Sequence, residues 1–462
     1  MRTLFRRSRV SMRLAAVALA AVVLPAAADS SATEGCPMFH CDAAASGVML
    51  QPIVQTPTRI TKNNTLGKMK AQGCAGDGDR LACLFVTDDV TAAPGKGTLK
   101  VLDGRDLQPV WGSADTATSR ELDGPSAGSG QVPYMFANGR IAAGDKSVHA
   151  LYEADGTLVA TVPLTGKGNN LGLTPIGIGL GVVSQTDGTL TLVDLMNWTV
   201  LSTLKLRDPV TEAALGLVSP SSAAGNSLYA VARNGQTNRG FLVVIQLEQN
   251  PSRLTLRTQY EFIGRTGASA VVIRPDQSGL AGNLVLLHSP QMLTDPTPVN
   301  RLVGLLDTGG TTLTTAWALT LIAPLKVSPT FDATTQTLYY NYGPDGKLYR
   351  ANYVTGAPLR SFNIRGLMGL GGFSLNGHLV ASNSSEGFIV LLSGSLLSGA
   401  DTAGQYFMAF KPSTKSFVWT GRTHTLADNY TGAWTLVPSA EPGRGCPVVV
   451  GLNTGLTRMC DF

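Results

Sequence analysis

The sequence is poor in charge and in aromatic rings: Asp, Glu, Lys and Arg make up 15 % of its 462 residues, and Phe, Trp and Tyr only 6 %. Its first 28 residues hold five arginines (Arg2, Arg6, Arg7, Arg9, Arg13) and no acid, which leaves 31 basic against 31 acidic residues in the rest. The net +5 therefore belongs to the N-terminal stretch, and nothing beyond it favours nucleic acid or an anionic membrane surface. Helical periodicity is missing too. After residue 28 no segment keeps apolar residues at i, i+3, i+4 and i+7 for three turns, which argues against a helical or α/β fold. No later run is long and apolar enough to span a bilayer, so no transmembrane segment is expected in the mature chain. Among the six cysteines no two are adjacent and no Cys-x-x-Cys occurs, so neither a thioredoxin-like redox pair nor a c-type haem site is written here.

The five arginines precede an apolar run, 14–24, and then Ala26-Ala27-Ala28. That order predicts a secretory signal peptide over 1–28 and a periplasmic or secreted protein. Cys36 follows Thr-Glu-Gly well after the apolar run, so it does not read as a lipid-attachment cysteine. In an exported chain six cysteines predict three disulfides. Their spacing favours local bridges, Cys36–Cys41, Cys74–Cys83 and Cys446–Cys460. The second pair brackets a Gly-Asp turn and the third an Asn-Thr-Gly turn, each suited to a hairpin. A metal reading of Cys-Pro-Met-Phe-His-Cys at 36–41 has no zinc-knuckle spacing behind it.

What the sequence does have is 52 glycines, 25 prolines and many short β-branched runs between turn residues. The stretch GTLKVLDGRDLQPVW, 97–111, reads strand, tight turn, strand, tryptophan. Its pattern recurs: LKVLD ends at Asp103, VHALY at Tyr152, LTLVD at Asp194, LVVIQ at Gln246, VGLLD at Asp307, LYRAN at Asn352, FMAFK at Lys411 and VVVGLN at Asn453. The spacing of roughly 40 to 60 residues, with three or four strands each, is that of β-propeller blades. Eight units argue for eight blades, or seven if the long interval between Gln246 and Asp307 hides an insertion. The expected organisation is an N-terminal extension over 29–70 and an all-β propeller over 71–462. Closure is expected to need little exchange between the termini, although 45–70 offers a candidate outer strand.

The pattern Gly-x-Leu-x-x-Leu-Asp followed by a distant Trp resembles the repeat of the quinoprotein-like propellers, the pyrroloquinoline-quinone (PQQ) repeat family. The resemblance covers about 80–460 and implies a packing role between blades for Trp111, Trp317 and Trp419, with Asp103, Asp194 and Asp307 at the turns. Dehydrogenases of that family hold PQQ with a calcium or lanthanide ion on Glu, Asn and Asp, often beside an adjacent cysteine pair. This chain has no such pair and no Asp-x-Asp in a long loop, so neither PQQ nor calcium is expected.

Other motifs reduce to structure. Gly-Pro-Ser-Ala-Gly at 124–128 matches a nucleophile elbow but lacks the strand and helix that strain it. Gly-Ile-Gly-Leu-Gly at 177–181 is followed by a strand, not the helix a pyrophosphate needs, and reads as entry to an inner strand. Asp77, Asp79, Asp88 and Asp89 offer too few oxygens for calcium without distant loops. The five histidines, His40, His149, His288, His378 and His424, are scattered. Connections at 294–300, 393–405 and 439–445 are candidate recognition loops. The reading favoured is a monomeric, non-enzymatic scaffold binding an envelope or extracellular protein, or a small ligand at the channel mouth. The alternative is an enzyme at that mouth, a metal-dependent hydrolase or lactonase or a quinone-dependent dehydrogenase.

Overall fold

In a computed structural model of the chain, the described residues lie between 41 and 461; 64–73, 77–79, 87–95, 112–119, 124–131, 293–298, 397–403, 424–433, 440–442, 452–454 and single positions 46, 145, 265, 267, 268, 290 and 326 fall outside the description. Eight sheets follow one another along the chain. They span 75–123, 134–163, 170–205, 215–263, 271–320, 330–363, 374–423 and 434–460, and are numbered here as blades 1 to 8. In blades 1 to 7 the strands pair as an antiparallel meander whose first strand is innermost and whose fourth lies at the rim.

The burial pattern explains why the strands carry runs of apolar residues rather than alternation. The third strand of blade 3, Thr189–Asp194, is buried at all but its last position, whereas the fourth, Thr199–Lys205, has no buried residue. A blade covered on both faces needs both sets of side chains apolar, and only the rim strand meets water. Eight hydrophobic clusters result, one at each junction between successive blades. The cluster joining Val437, Val448 and Leu456 of blade 8 to Leu81, Phe85 and Leu102 of blade 1 completes the ring. The protein is an eight-bladed β-propeller.

The ring closes by strand exchange: the termini exchange more than expected, and the outer strand comes from within 45–70, as the sequence offered. Arg59–Asn63 pairs antiparallel with Gly455–Cys460 and supplies the fourth strand of blade 8. The eighth repeat is consequently out of phase: the run ending VVVGLN lies in the blade's second strand, Gly445–Gly451, and Gly455–Cys460 is its third. Joining the two ends of the chain in one sheet leaves no open seam, the usual hazard of an unclosed ring. The long interval before Asp307 holds a lengthened connection rather than a blade. Its Gln291–Met292 returns to pair with Phe262 and Ile263 at the rim of blade 4.

A bulge recurs between the third and fourth strands of blades 1 to 7. Two rim residues there oppose one on the third strand, which twists the rim and turns a side chain toward the next blade. The second bulge residue is Trp111, Ala160, Ser202, Thr258, Trp317, Ser361 and Trp419 in blades 1 to 7.

Candidate functional site

A propeller's default site is its axis, where the inner strands converge. Here the chain itself runs along that axis. Ala43 O accepts from Ala223 N (2.6 Å) in the inner strand of blade 4, and Ala44 O from Val272 N (2.9 Å) in that of blade 5. Gly47 O accepts from Thr330 Oγ1 (3.3 Å) of blade 6 and from Ala381 N (2.7 Å) of blade 7. Val48–Met49 then pairs in parallel with blade 7's first strand at Ala381 and Ser382. Small residues allow this: with methyls or hydrogen at 43, 44, 45 and 47, a backbone fits among four inner strands and satisfies their outward donors. Residues 41–63, placed by sequence in an N-terminal extension, are thus part of the ring.

Beyond Met49 the segment crosses from axis to rim over the junction of blades 7 and 8. Gly445 N donates to Pro52 O (2.8 Å) and Val54 N to Gly445 O (3.0 Å). Arg444 ties the crossing down. Its guanidinium pairs with Glu386 and also donates to Ile53 O (2.8 Å), while Gln55 Nε2 donates to the same Glu386 carboxylate (2.5 Å). The described end of the 439–445 connection therefore serves this clamp.

The fit of a quinone with calcium can be judged on these residues. The described positions from 43 to 49 carry no ionisable side chain, and their backbone occupies the space among the inner strands. They do not fit that group. Among the described residues one grouping has three ligand-type side chains, Cys446, Cys460 and Asp461, but its two sulfurs are joined in a disulfide. The three described histidines do not converge either. His149 is buried in blade 2, its Nδ1 2.9 Å from Asn170 Nδ2 and its ring stacked on Trp198 at 6.0 Å. His288 lies in blade 5 with Nδ1 3.1 Å from Thr266 Oγ1, and His378 in blade 7 accepts from Ser328 N (3.2 Å). Burial pushes the His149 ring down to about 3 and His288 to about 4, so both are neutral. His40, His424, Asp77, Asp79, Asp88, Asp89 and 124–128 lie outside the described residues. Gly177 and Gly179, both at positive φ, form the turn between the first and second strands of blade 3, and Leu180 and Gly181 open the buried second strand, one place out from the innermost.

The repeat residues sit at junctions. Trp111 Nε1 donates to Ala154 O of blade 2 (3.0 Å), and Trp317 Nε1 to Tyr353 O of blade 6 (2.7 Å). Each ring covers a glycine in the next blade's last turn, Gly156 (φ 87°) and Gly356 (φ 72°), where a Cβ would lie 2.8 and 2.7 Å from the indole. Trp419 donates to Val54 O (3.0 Å), because blade 8 takes its fourth strand from the N-terminal segment. Asp103 and Asp194 cap their own turns, accepting from Arg105 N (2.6 Å) and Met196 N (2.8 Å). Asp307 caps Gly309 N (2.9 Å) and also reaches blade 4, pairing with Arg257 and accepting from Tyr229 Oη (2.6 Å). Burial and that carboxylate raise the Tyr229 hydroxyl well above its ordinary range. Disulfides join Cys74 to Cys83 (Cα–Cα 4.6 Å) and Cys446 to Cys460 (5.0 Å), both in the core between blades 8 and 1. Cys41 is also disulfide-bonded, and Cys36 lies outside the described residues.

The junction between blades 6 and 7 is packed at its core but open at the rim. Between blades 6 and 7 a cleft of about 430 Å³ is lined by Arg350, Arg360, Ser361, Phe362, Leu367 and Lys415, among others. Ser361 holds the bulge position that is Trp317 in blade 5, and Lys415 (φ 58°) the left-handed turn position that is Gly356 in blade 6. Arg350 stacks on Phe362 at 4.1 Å and donates to Arg360 O (2.6 and 2.8 Å). Arg360 and Lys415 are exposed and form no ion pair among the described residues. Sequence reasoning passed over these residues, and PLRSFN carried no distinct signal, since the bulge positions of blades 2, 3 and 4 lack a tryptophan as well.

No protein-family model and no curated protein matches the chain. Solved structures do. The quinohemoprotein alcohol dehydrogenase of Comamonas testosteroni aligns over 93 % of this chain and 81 % of its own, at 10 % identity and TM-score 0.58. The Dos1 propeller aligns over 87 % and 95 %, at 13 % identity and TM-score 0.53. BamB from Moraxella catarrhalis covers 87 % and 98 %, at 12 % identity and TM-score 0.48. At such identities likeness establishes fold alone. The chain has the eight-bladed fold of the quinoprotein-like propellers.

Proposed function

We propose that the chain is an exported, non-enzymatic propeller that holds another protein of the cell envelope or exterior, and that it uses neither PQQ nor calcium. The observation that carries this reading is the axial segment: the chain's own Ala43, Ala44 and Gly47 take up the inner-strand donors and space that a channel-mouth site would need. The two disulfides in the closing core suit an oxidising compartment. No helix among the described residues is long and apolar enough to cross a membrane. What remains for recognition is the rim and its junctions, where rigid strands present loops.

The test is purification of the processed protein from its own envelope after mild cross-linking. The expected result is one stoichiometric protein partner, re-bound by the separately purified components, with neither calcium on metal analysis nor quinone absorption. Stoichiometric metal or quinone, or a chain that re-binds no partner, overturns the reading.

A further inference from the structure

The cleft between blades 6 and 7 is built differently from the junctions beside it. At junction 5/6 an indole fills the space and a glycine receives it; at 6/7 a serine and a lysine stand in those places. The lysine is there against backbone preference, since a left-handed residue other than glycine costs about 1 kcal/mol. The floor is apolar and fixed: Phe362 packs edge-on against Phe410 of blade 7 at 5.0 Å and under the Arg350 guanidinium. Leu359 (40 % exposed) and Leu367 (50 %) stand open beside it. Arg360 enters from blade 6 and Lys415 from blade 7, and no acidic side chain lines the cleft. Alongside runs the strand Pro358–Asn363, the outer edge of its sheet with no strand beyond it. A free sheet edge, flanking cations and an apolar floor are together the requirements of an extended acidic peptide.

We propose that this cleft binds a peptide segment of the partner protein, with carboxylates on Arg360 and Lys415 and an apolar side chain on the Phe362–Leu367 floor. The proposal rests on the binding reading above and names its site. A chain lying along the free edge gains main-chain hydrogen bonds that a small anion lacks, and the cations select acidic over basic sequences.

The experiment uses the processed full chain and fluorescence anisotropy. The probe is a labelled decapeptide alternating Asp or Glu with Leu or Phe. One control replaces its acids by Lys, and another its apolar residues by Ser. Saturable binding of the first peptide alone, weakened by salt, is expected. The pair Arg360→Glu with Lys415→Glu should weaken it by at least about tenfold. The pair Ser361→Trp with Lys415→Gly rebuilds a tryptophan-filled junction and should abolish it while keeping the fold, as circular dichroism and melting show. Equal binding of the Lys peptide, no binding of the acidic one, or binding untouched by either folded variant overturns the proposal. So does binding of anionic phospholipid vesicles, in place of the peptide, lost in the same variants. If the cross-linked partner persists on the charge-reversed variant, the cleft falls and the scaffold reading stands. If the processed chain carries quinone or metal, the scaffold reading falls, whatever the peptide does.

Discussion

Blade 6 meets its two neighbours through the same backbone and two different finishes. Toward blade 5 its last turn presents Gly356, and the Trp317 ring lies flat against it with its N–H on Tyr353 O. Toward blade 7 its own rim bulge offers Ser361 to a turn bearing Lys415. Strand order and bulge agree on both sides, so the ring's geometry does not require tryptophan. Other junctions solve the same problem in reverse. At 2/3 the bulge residue is Ala160, and Trp198, at the left-handed turn position of blade 3, points back to donate to His149 O (3.4 Å). At 8/1 Leu107 occupies that turn position and is buried in the closing core. At 1/2, 2/3, 5/6 and 8/1 the space is thus closed by an indole or by an apolar turn residue; 6/7, whose bulge residue is Ser361 much as it is Ser202 at 3/4 and Thr258 at 4/5, has neither and keeps its cleft.

The sharpest way to break this contrast is to empty a filled junction. Trp317→Ala should destabilise the protein by about 3–5 kcal/mol, the cost of removing a buried indole and leaving its cavity. Gly356→Ala attacks the same contact from the other side. Its Cβ would meet the ring at 2.7 Å on a left-handed backbone, and a loss of about 2–3 kcal/mol is expected. Denaturant midpoints measure both, and because they strip one contact the double variant should cost less than their sum. Full additivity would mean that indole and glycine are not a pair.

Much of the ring was legible in the sequence, since each blade repeats the same economy: buried strands, a tight turn, an exposed rim. The eight repeats mark eight blades because every junction must bury both faces. The axial segment was not legible. Residues 41–54 have no periodicity, because each small residue there meets a different blade rather than one sheet face. Nor was the cleft, which is defined by a side chain that is absent. Trp198 carried a signal in its place directly after the Asp194 turn, but its backward direction follows from the left-handed backbone at that position, which no spacing reveals.

The junction between blades 2 and 3 also offers a pH handle. His149 is packed under Trp198 and stays neutral because burial holds its ring at about 3, against about 6.5 when unfolded. A histidine whose folded value is depressed contributes stability that is complete above 6.5 and is lost as pH falls toward 3, because the unfolded chain takes the proton first. Between pH 6.5 and 5 this residue alone should remove about 2 kcal/mol. His149→Gln keeps a polar group beside Asn170 and cannot titrate, so its midpoint should fall less over that interval than the parent's. Parallel curves would place the titration at His288, which burial holds at about 4, and would separate the junction's packing from its protonation.

The smallest effect belongs to the open junction. Lys415→Gly relieves a left-handed backbone worth about 1 kcal/mol, and the freer glycine returns about 0.4–1 kcal/mol of that through the unfolded chain. The net change should be a few tenths of a kcal/mol, within scatter on a melting curve. Ser361→Trp alone has no such allowance, because its ring would run into the Lys415 side chain where Trp317 finds hydrogen. It should destabilise alone and stabilise once Lys415→Gly is added. That change of sign in a double-mutant cycle is what a missing indole–glycine pair requires; two independent terms would instead place the tryptophan outside the cleft.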